Sequence, residues 1–291
     1  MIKRILTIAM VCCFPTIVLA YQDDGDLAPS DVNNTTTPFV KNMPERDKDN
    51  VPISLPPNPF YLGIFGGGGN SSDNNFTQQG IVFFDSSAGG PLIIKAQNAA
   101  NTNSVGIGGA HIGYNWLGQQ MWGVVPATEI EAYYLGVTES AGLYNPSTRI
   151  PEHFFIDSFP INSGVFLANI VLSSQMNRFH PYLSGGIGAS ILSISNAVST
   201  QVSPAEPGVN HFNSNPNASN WTFAAQGKAG LLFNVDDHWS IFAEYRYLFL
   251  APTQYLFGST QYPTHVATTN WTVNFASLNV NMGSAGIAYN F

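Results

Sequence analysis

A chain of 291 residues in which 10% are Asp, Glu, Lys or Arg and 13% are aromatic carries too little charge to wet the surface of an ordinary soluble domain. The formal charge of −8 excludes a nucleic-acid binder, which needs a basic face. Past the N-terminus no apolar run approaches the ~18 residues of a membrane-crossing helix. Few charges, many aromatics and 27 glycines therefore point to strands that alternate between lipid and a polar interior.

Residues 1–20, MIKRILTIAMVCCFPTIVLA, place Lys3 and Arg4 before an apolar stretch and end on Val18-Leu19-Ala20, the pattern of a cleaved secretory signal peptide. Cleavage removes both cysteines, Cys12 and Cys13, so the exported chain is expected to have no disulfide and no cysteine metal site. Losing Lys3 and Arg4 takes its formal charge from −8 to −10. Residues 21–58 are acidic, polar and Pro-rich, without a periodic apolar face, and are expected to form a disordered periplasmic tail.

Residues 59–291 read as the barrel. Eight segments alternate with period two: 59–68, 105–117, 123–136, 163–174, 181–193, 221–234, 239–249 and 277–291. The connections after the first, third, fifth and seventh are long (69–104, 137–162, 194–220 and 250–276) and the others are short. That rhythm predicts an all-β fold, a closed antiparallel eight-stranded transmembrane barrel with four long extracellular loops and both termini in the periplasm, because only a closed barrel pairs every amide in hydrocarbon. Within the first loop, GIVFF (80–84) and PLIIK (91–95) form either a hairpin above the membrane or two further barrel strands.

In the sixth segment Trp221, Phe223, Ala225, Gly227, Ala229, Leu231 and Phe233 share one face, opposite Thr222, Gln226, Lys228 and Asn234. In the seventh, Trp239, Ile241, Ala243, Tyr245, Tyr247 and Phe249 lie opposite Phe242, Glu244 and Arg246. Aromatics at both ends of each apolar face suit two interfacial girdles. Pairing Phe233 with Trp239 across the turn would set Lys228 against Glu244 and Gln226 against Arg246. Taking Ile112, Tyr114 and Trp116, Ile130, Ala132 and Tyr134, and Phe166, Ala168, Ile170 and Leu172 as outward leaves His111, Glu129, Glu131 and Asn169 inward. The lumen is then expected to hold Glu129, Glu131, Lys228, Glu244 and Arg246, with charges that neutralise one another as a structural plug. The alternative is a narrow pore that these charges gate.

The last strand carries Ile287, Tyr289 and Phe291 on its lipid face. Leu278, Val280 and Met282 fall on the opposite parity, which requires a bulge near Gly283 or a lumen that accepts apolar bulk. The terminal aromatic with apolar residues at alternate preceding positions resembles the signal read by the barrel assembly machinery. The stretches HPYLSGGIGAS, AAQGKAGLLF, FAEYRYL and GIAYNF resemble the opacity-like outer-membrane barrels, relatives of the transmembrane part of outer membrane protein A, over roughly residues 59–291. That resemblance implies a Gram-negative surface protein, structural or host-interacting, often antigenic and without catalysis.

Candidate chemistry is sparse. His238-Trp239-Ser240, with Glu244 near, has the His-x-Ser spacing of lipid A deacylases, but on this topology it lies at the periplasmic floor, away from the outer leaflet. No two of His111, His153, His180, His211, His238 and His265 fall at short ligand spacing, so neither a metal nor a cofactor is expected. The loops carry Phe154, Phe155, Phe159, Tyr255, Phe257 and Tyr262 among polar residues, a texture that suits contact with a host protein or glycan and equally suits inert surface cover. The expected partners are outer-membrane lipid and lipopolysaccharide, the assembly machinery and a surface ligand of the loops.

Overall fold

The computed structural model describes residues 58–72, 75–98, 102–117, 123–145, 149–174, 176 and 178–291. The expected signal peptide, and the expected tail apart from its last residue, lie outside the described residues. Thirteen strands follow one another: β1 (Phe60–Ser72), β2 (Phe76–Val82), β3 (Leu92–Asn98), β4 (Asn103–Asn115), β5 (Val124–Tyr144), β6 (Phe154–Ser174), β7 (Phe179–Ile194), β8 (Val198–Ser203), β9 (Ala218–Asn234), β10 (Trp239–Leu250), β11 (Thr253–Phe257), β12 (Trp271–Phe275) and β13 (Leu278–Asn290). All belong to one antiparallel sheet. Eight of them pair in the order β5-β4-β1-β13-β10-β9-β7-β6, and β6 pairs back onto β5 from Val124↔Ser174 to Tyr144↔Phe154, which makes a ring of eight strands.

The ring has a turn end, where β4–β5, β6–β7 and β9–β10 are joined by short connections, and a loop end. The other five strands stand at the loop end. β2 pairs with β3 and β12, β12 pairs with β11, β3 meets the last residues of β5, and β8 lies along the first residues of β6. The first loop thus forms a hairpin outside the ring and does not raise its strand count. The second expected loop, 137–162, is corrected: β5 and β6 run on for 21 residues each, and only 145–153 connects them. Val137, Glu139, Leu143, Phe155, Phe159 and Ile161 keep the inward parity through that stretch and are buried, so burial extends the hairpin where composition suggested a loop.

Alternation builds the wall. Along β10 every odd residue from Trp239 to Tyr247 is exposed and every even residue from Ser240 to Leu250 is buried. β13 pairs without interruption to β1 and β10, so no bulge forms near Gly283, and Leu278, Val280 and Met282 point into a lumen that takes apolar bulk. The β9–β10 register differs from the expected one. Asp236 Oδ1 accepts hydrogen bonds from the backbone N–H of Trp239 (2.7 Å) and His238 (2.8 Å), an Asx-type turn that pairs Asn234 with Ser240 and Phe233 with Ile241. Lys228 therefore faces Arg246, and Glu244 faces Gly230.

Where β1 meets β13 the backbones approach closely: a Cβ at Gly69 would lie 1.9 Å from the carbonyl oxygen of Asn281, whereas one at Gly106, on the outer face of β4, meets nothing within 4 Å. Gly69→Val is expected to cost about 3 kcal/mol or to prevent folding, and Gly106→Val to change stability by no more than about 0.5 kcal/mol. Urea unfolding, read as loss of the faster gel mobility of the unboiled form, checks both.

Candidate functional site

The ring strands aim five charged side chains at one level of the lumen. Glu129 and Glu131 come from β5, Lys228 from β9, and Glu244 and Arg246 from β10, at alternate positions that share the inner face. All five are buried, Arg246 and Glu131 completely. Lys228 Nζ donates to Glu129 Oε1 and to Glu131 Oε2, both at 2.6 Å. Arg246 Nη1 donates to Glu131 Oε1, and its Nε donates to Glu244 Oε1 at 2.7 Å and to Ser284 Oγ at 2.9 Å. The result is a continuous ladder, Glu129–Lys228–Glu131–Arg246–Glu244, with three carboxylates to two cations.

Neutral donors complete the shells of the outer two carboxylates. Tyr182 OH donates to Glu244 Oε2 at 2.7 Å, Tyr61 OH to Glu129 Oε2 at 3.2 Å, and Asn169 Nδ2 to Glu129 Oε1 at 2.9 Å, while Gln226 Nε2 holds the Asn169 carbonyl at 2.9 Å. The guanidinium of Arg246 also lies over the Phe65 ring, 3.8 Å from its centroid, a buried cation–π contact. Tyr61, Tyr182, Ser284 and Phe65 were not anticipated. Tyr61 and Phe65 sit on the glycine-rich first strand, whose faces the pattern leaves unassigned. His111, Glu129 and Glu131 are close enough to share a cation, but the Lys228 ammonium already bridges the two carboxylates.

The His-x-Ser stretch is not assembled for nucleophilic chemistry. Ser240 Oγ donates to Asn234 Oδ1 at 2.8 Å, His238 Nδ1 contacts the Asn290 carbonyl at 2.9 Å, and Glu244 is committed to Arg246. A base must hold the nucleophile's proton and an orienting group must hold the base. The terminal residues Ile287, Tyr289 and Phe291 lie at the turn end, where Tyr289 packs edge-on against Trp239 (5.0 Å) and Phe291 (5.4 Å), and Phe291 N donates to the Phe60 carbonyl.

The aromatics expected as exposed loop anchors are corrected. Phe159 and Phe257 are fully buried, Tyr255 and Phe155 nearly so; Phe154 alone is well exposed, and Tyr262 is half-buried with its hydroxyl accepting from Asn210 N. Phe159 contacts Phe76, Phe212, Phe257 and Phe275 at ring separations of 5.1–5.9 Å. This aromatic core fills the loop end above the charge ladder, because the outer strands there need an apolar interior of their own.

No family model matches the sequence, and no curated protein matches it. Solved structures that match the chain include the outer-membrane protease OmpT of Escherichia coli (12% identity, 81% of this chain and 97% of that one, TM-score 0.34). They also include the outer-membrane protein OprG of Pseudomonas aeruginosa (12%, 79% and 96%, TM-score 0.35). A third is Ail, the attachment invasion locus protein of Yersinia pestis, in complex with a heparin analogue (12%, 76% and 98%, TM-score 0.25). At these values the likeness selects no function.

Two stability predictions follow from the buried charges. Lys228→Met leaves Glu129 and Glu131 facing each other and is expected to cost about 3–5 kcal/mol in urea unfolding, and adding Glu129→Gln to recover part of that loss. Asp157, fully buried on β6 beyond the ladder, has its carboxyl pushed up to about 7 by desolvation, which Ser199 only partly offsets. The folded state keeps the proton while the unfolded chain loses it above pH ~4, so the loop end is expected to lose stability as pH rises from about 4 to 7, by at most about 4 kcal/mol. Asp157→Asn should flatten that slope in protease-resistance measurements.

Proposed function

We propose that the chain is a bacterial outer-membrane protein. Its eight-stranded ring is a closed, plugged barrel anchored in lipid, and its role is structural and surface-interacting, carried by the extracellular strands and loops without catalysis. The observation that carries this reading is the reversal of the usual inside and outside. Five charges are buried at one level of the interior, while Ile130, Ile170, Leu183 and Trp221 stand 62–68% exposed on the outer face. A belt of Ile64, Ile112, Leu231, Ile241 and Ile287 lies between aromatics at the turn end (Phe60, Trp239, Phe179, Phe291) and a second set nearer the loop end (Tyr134, Phe223, Tyr245, Tyr247). An apolar belt that runs around the ring suits acyl chains, and aromatics at both of its edges suit the two interfaces.

Strand length supports the same placement. A span takes about 9–11 residues of tilted strand, so roughly half of β5 and β6, with 21 residues each, stands beyond the bilayer. Polar groups at that end, among them Ser214, Asn215, Asn217, Gln261 and Thr264, are exposed where lipopolysaccharide, a host protein or a glycan would meet them. Residues 1–20 would export the chain, 21–58 would remain as a periplasmic tail, and Ile287, Tyr289 and Phe291 would present the signal to the assembly machinery. The resemblance of residues 59–291 to the opacity-like barrels agrees with this role.

Planar-bilayer recording tests the plug. The folded protein is expected to give no steady conductance, and Arg246→Ala no stable channel. Ohmic current from the wild type, changed in ion selectivity by Arg246→Ala, would favour a narrow pore gated by Glu129, Glu131, Lys228, Glu244 and Arg246.

A further inference from the structure

A second cluster of chemistry-bearing side chains lies at the loop end, away from the ladder. Glu206 and His211 come from the connection between β8 and β9, and His265 comes from the connection between β11 and β12. One donor atom from each lies within 4.8 Å of the other two. Glu206 Oε2 is 3.4 Å from His211 Nε2 and 3.4 Å from His265 Nε2. Spacing along the chain offers no metal site, because ligands from two separate connections meet only once the outer strands are packed.

The tautomers are set by the far side of each ring. His211 Nδ1 lies 2.9 Å from the Ser199 carbonyl and His265 Nδ1 lies 2.6 Å from the Val266 carbonyl. A carbonyl only accepts, so each Nδ1 donates its proton there, and Nε2 is the ring nitrogen that faces Glu206. Glu206 Oε2 is itself buried and accepts no hydrogen bond from a described residue. Two imidazole nitrogens and one carboxylate oxygen thus face one point.

We infer that Glu206, His211 and His265 form a binding site for a divalent transition-metal ion of the zinc class. Metal–donor bonds of about 2.0–2.1 Å at tetrahedral angles place ligand atoms about 3.3–3.4 Å apart, which is the separation seen on two edges of the triangle. Two imidazoles and one carboxylate are a donor set this class accepts, with a fourth position open to water. Each histidine is held from behind by a backbone carbonyl, the orienting contact that metal-bound imidazoles use. Phe155 and Trp271 flank His211, with ring centroids 5.2 and 6.3 Å away, and the partly exposed side of Glu206 leaves a route of entry. A bound ion ties the β8–β9 connection to the β11–β12 connection and clips the loop end together.

The test uses the detergent-folded, untagged protein, stripped with a chelator and titrated with Co²⁺ alone. Uptake of a single equivalent with the visible absorption of tetrahedral cobalt, bleached by Zn²⁺, is the expected result. Glu206→Gln and His265→Ala, at the two partly exposed ligands, should each weaken Co²⁺ binding about 100-fold while the unboiled gel mobility is kept, and His153→Ala should leave it unchanged. An octahedral or absent cobalt spectrum in the wild type, or the same uptake in both ligand variants, overturns the site and points to a protonated histidine paired with Glu206.

Discussion

A ring of eight strands encloses a space that side chains alone must fill, and Arg246 decides how that space is filled. From β10 it reaches Glu131 on β5, Glu244 on its own strand, Ser284 on β13 and the Phe65 ring on β1. Lys228 then joins β9 to Glu131 as well, and adds Glu129. Ions without water are tolerable only when each faces an opposite charge and its spare lone pairs and protons find partners. Tyr61, Tyr182, Asn169 and Ser284 supply most of those partners. Because the ladder crosses the ring, it sets the distance between opposite walls as well as the charge balance between them.

Above the ladder the interior changes character. Leu135, Val165, Leu248, Val280 and Met282 form an apolar layer, and beyond it Phe76, Phe159, Phe212, Phe257 and Phe275 pack the loop end. The outer strands β2, β3, β8, β11 and β12 prolong the ring wall around that aromatic core. On the proposed placement, what stands beyond the bilayer is a platform of paired strands with its own interior, and its connections are left to make contacts. Rigid support beneath exposed polar groups suits recognition, since less order has to be imposed when a partner arrives.

The ring was legible because β9 and β10 alternate residue by residue. Parity alone placed Glu244, Arg246 and Lys228 on one face. Their partners were less legible, since the Asx turn at Asp236 moves the register by two residues. A slip of two keeps every side chain on its face and changes only whom it meets. The extension of β5 and β6 was hidden for a different reason. Ser140, Asn162 and Pro160 give 137–162 the composition of a loop, and its aromatics look the same in sequence whether they anchor a partner or fill a core. The cluster of Glu206, His211 and His265 left no trace in spacing, because tertiary packing alone brings the two connections together.

The central claim is that the outer face of the ring meets acyl chains while the inner face is sealed. Spin labels placed one at a time along Trp239–Leu250 in lipid bilayers test it directly, through collision with apolar oxygen and with a water-soluble nickel complex. The account predicts oxygen access alternating with period two, high at Ile241, Ala243 and Tyr245 and low at Phe242, Glu244 and Arg246, with little nickel access at either set. Nickel access along both faces, or oxygen access without the alternation, would contradict it.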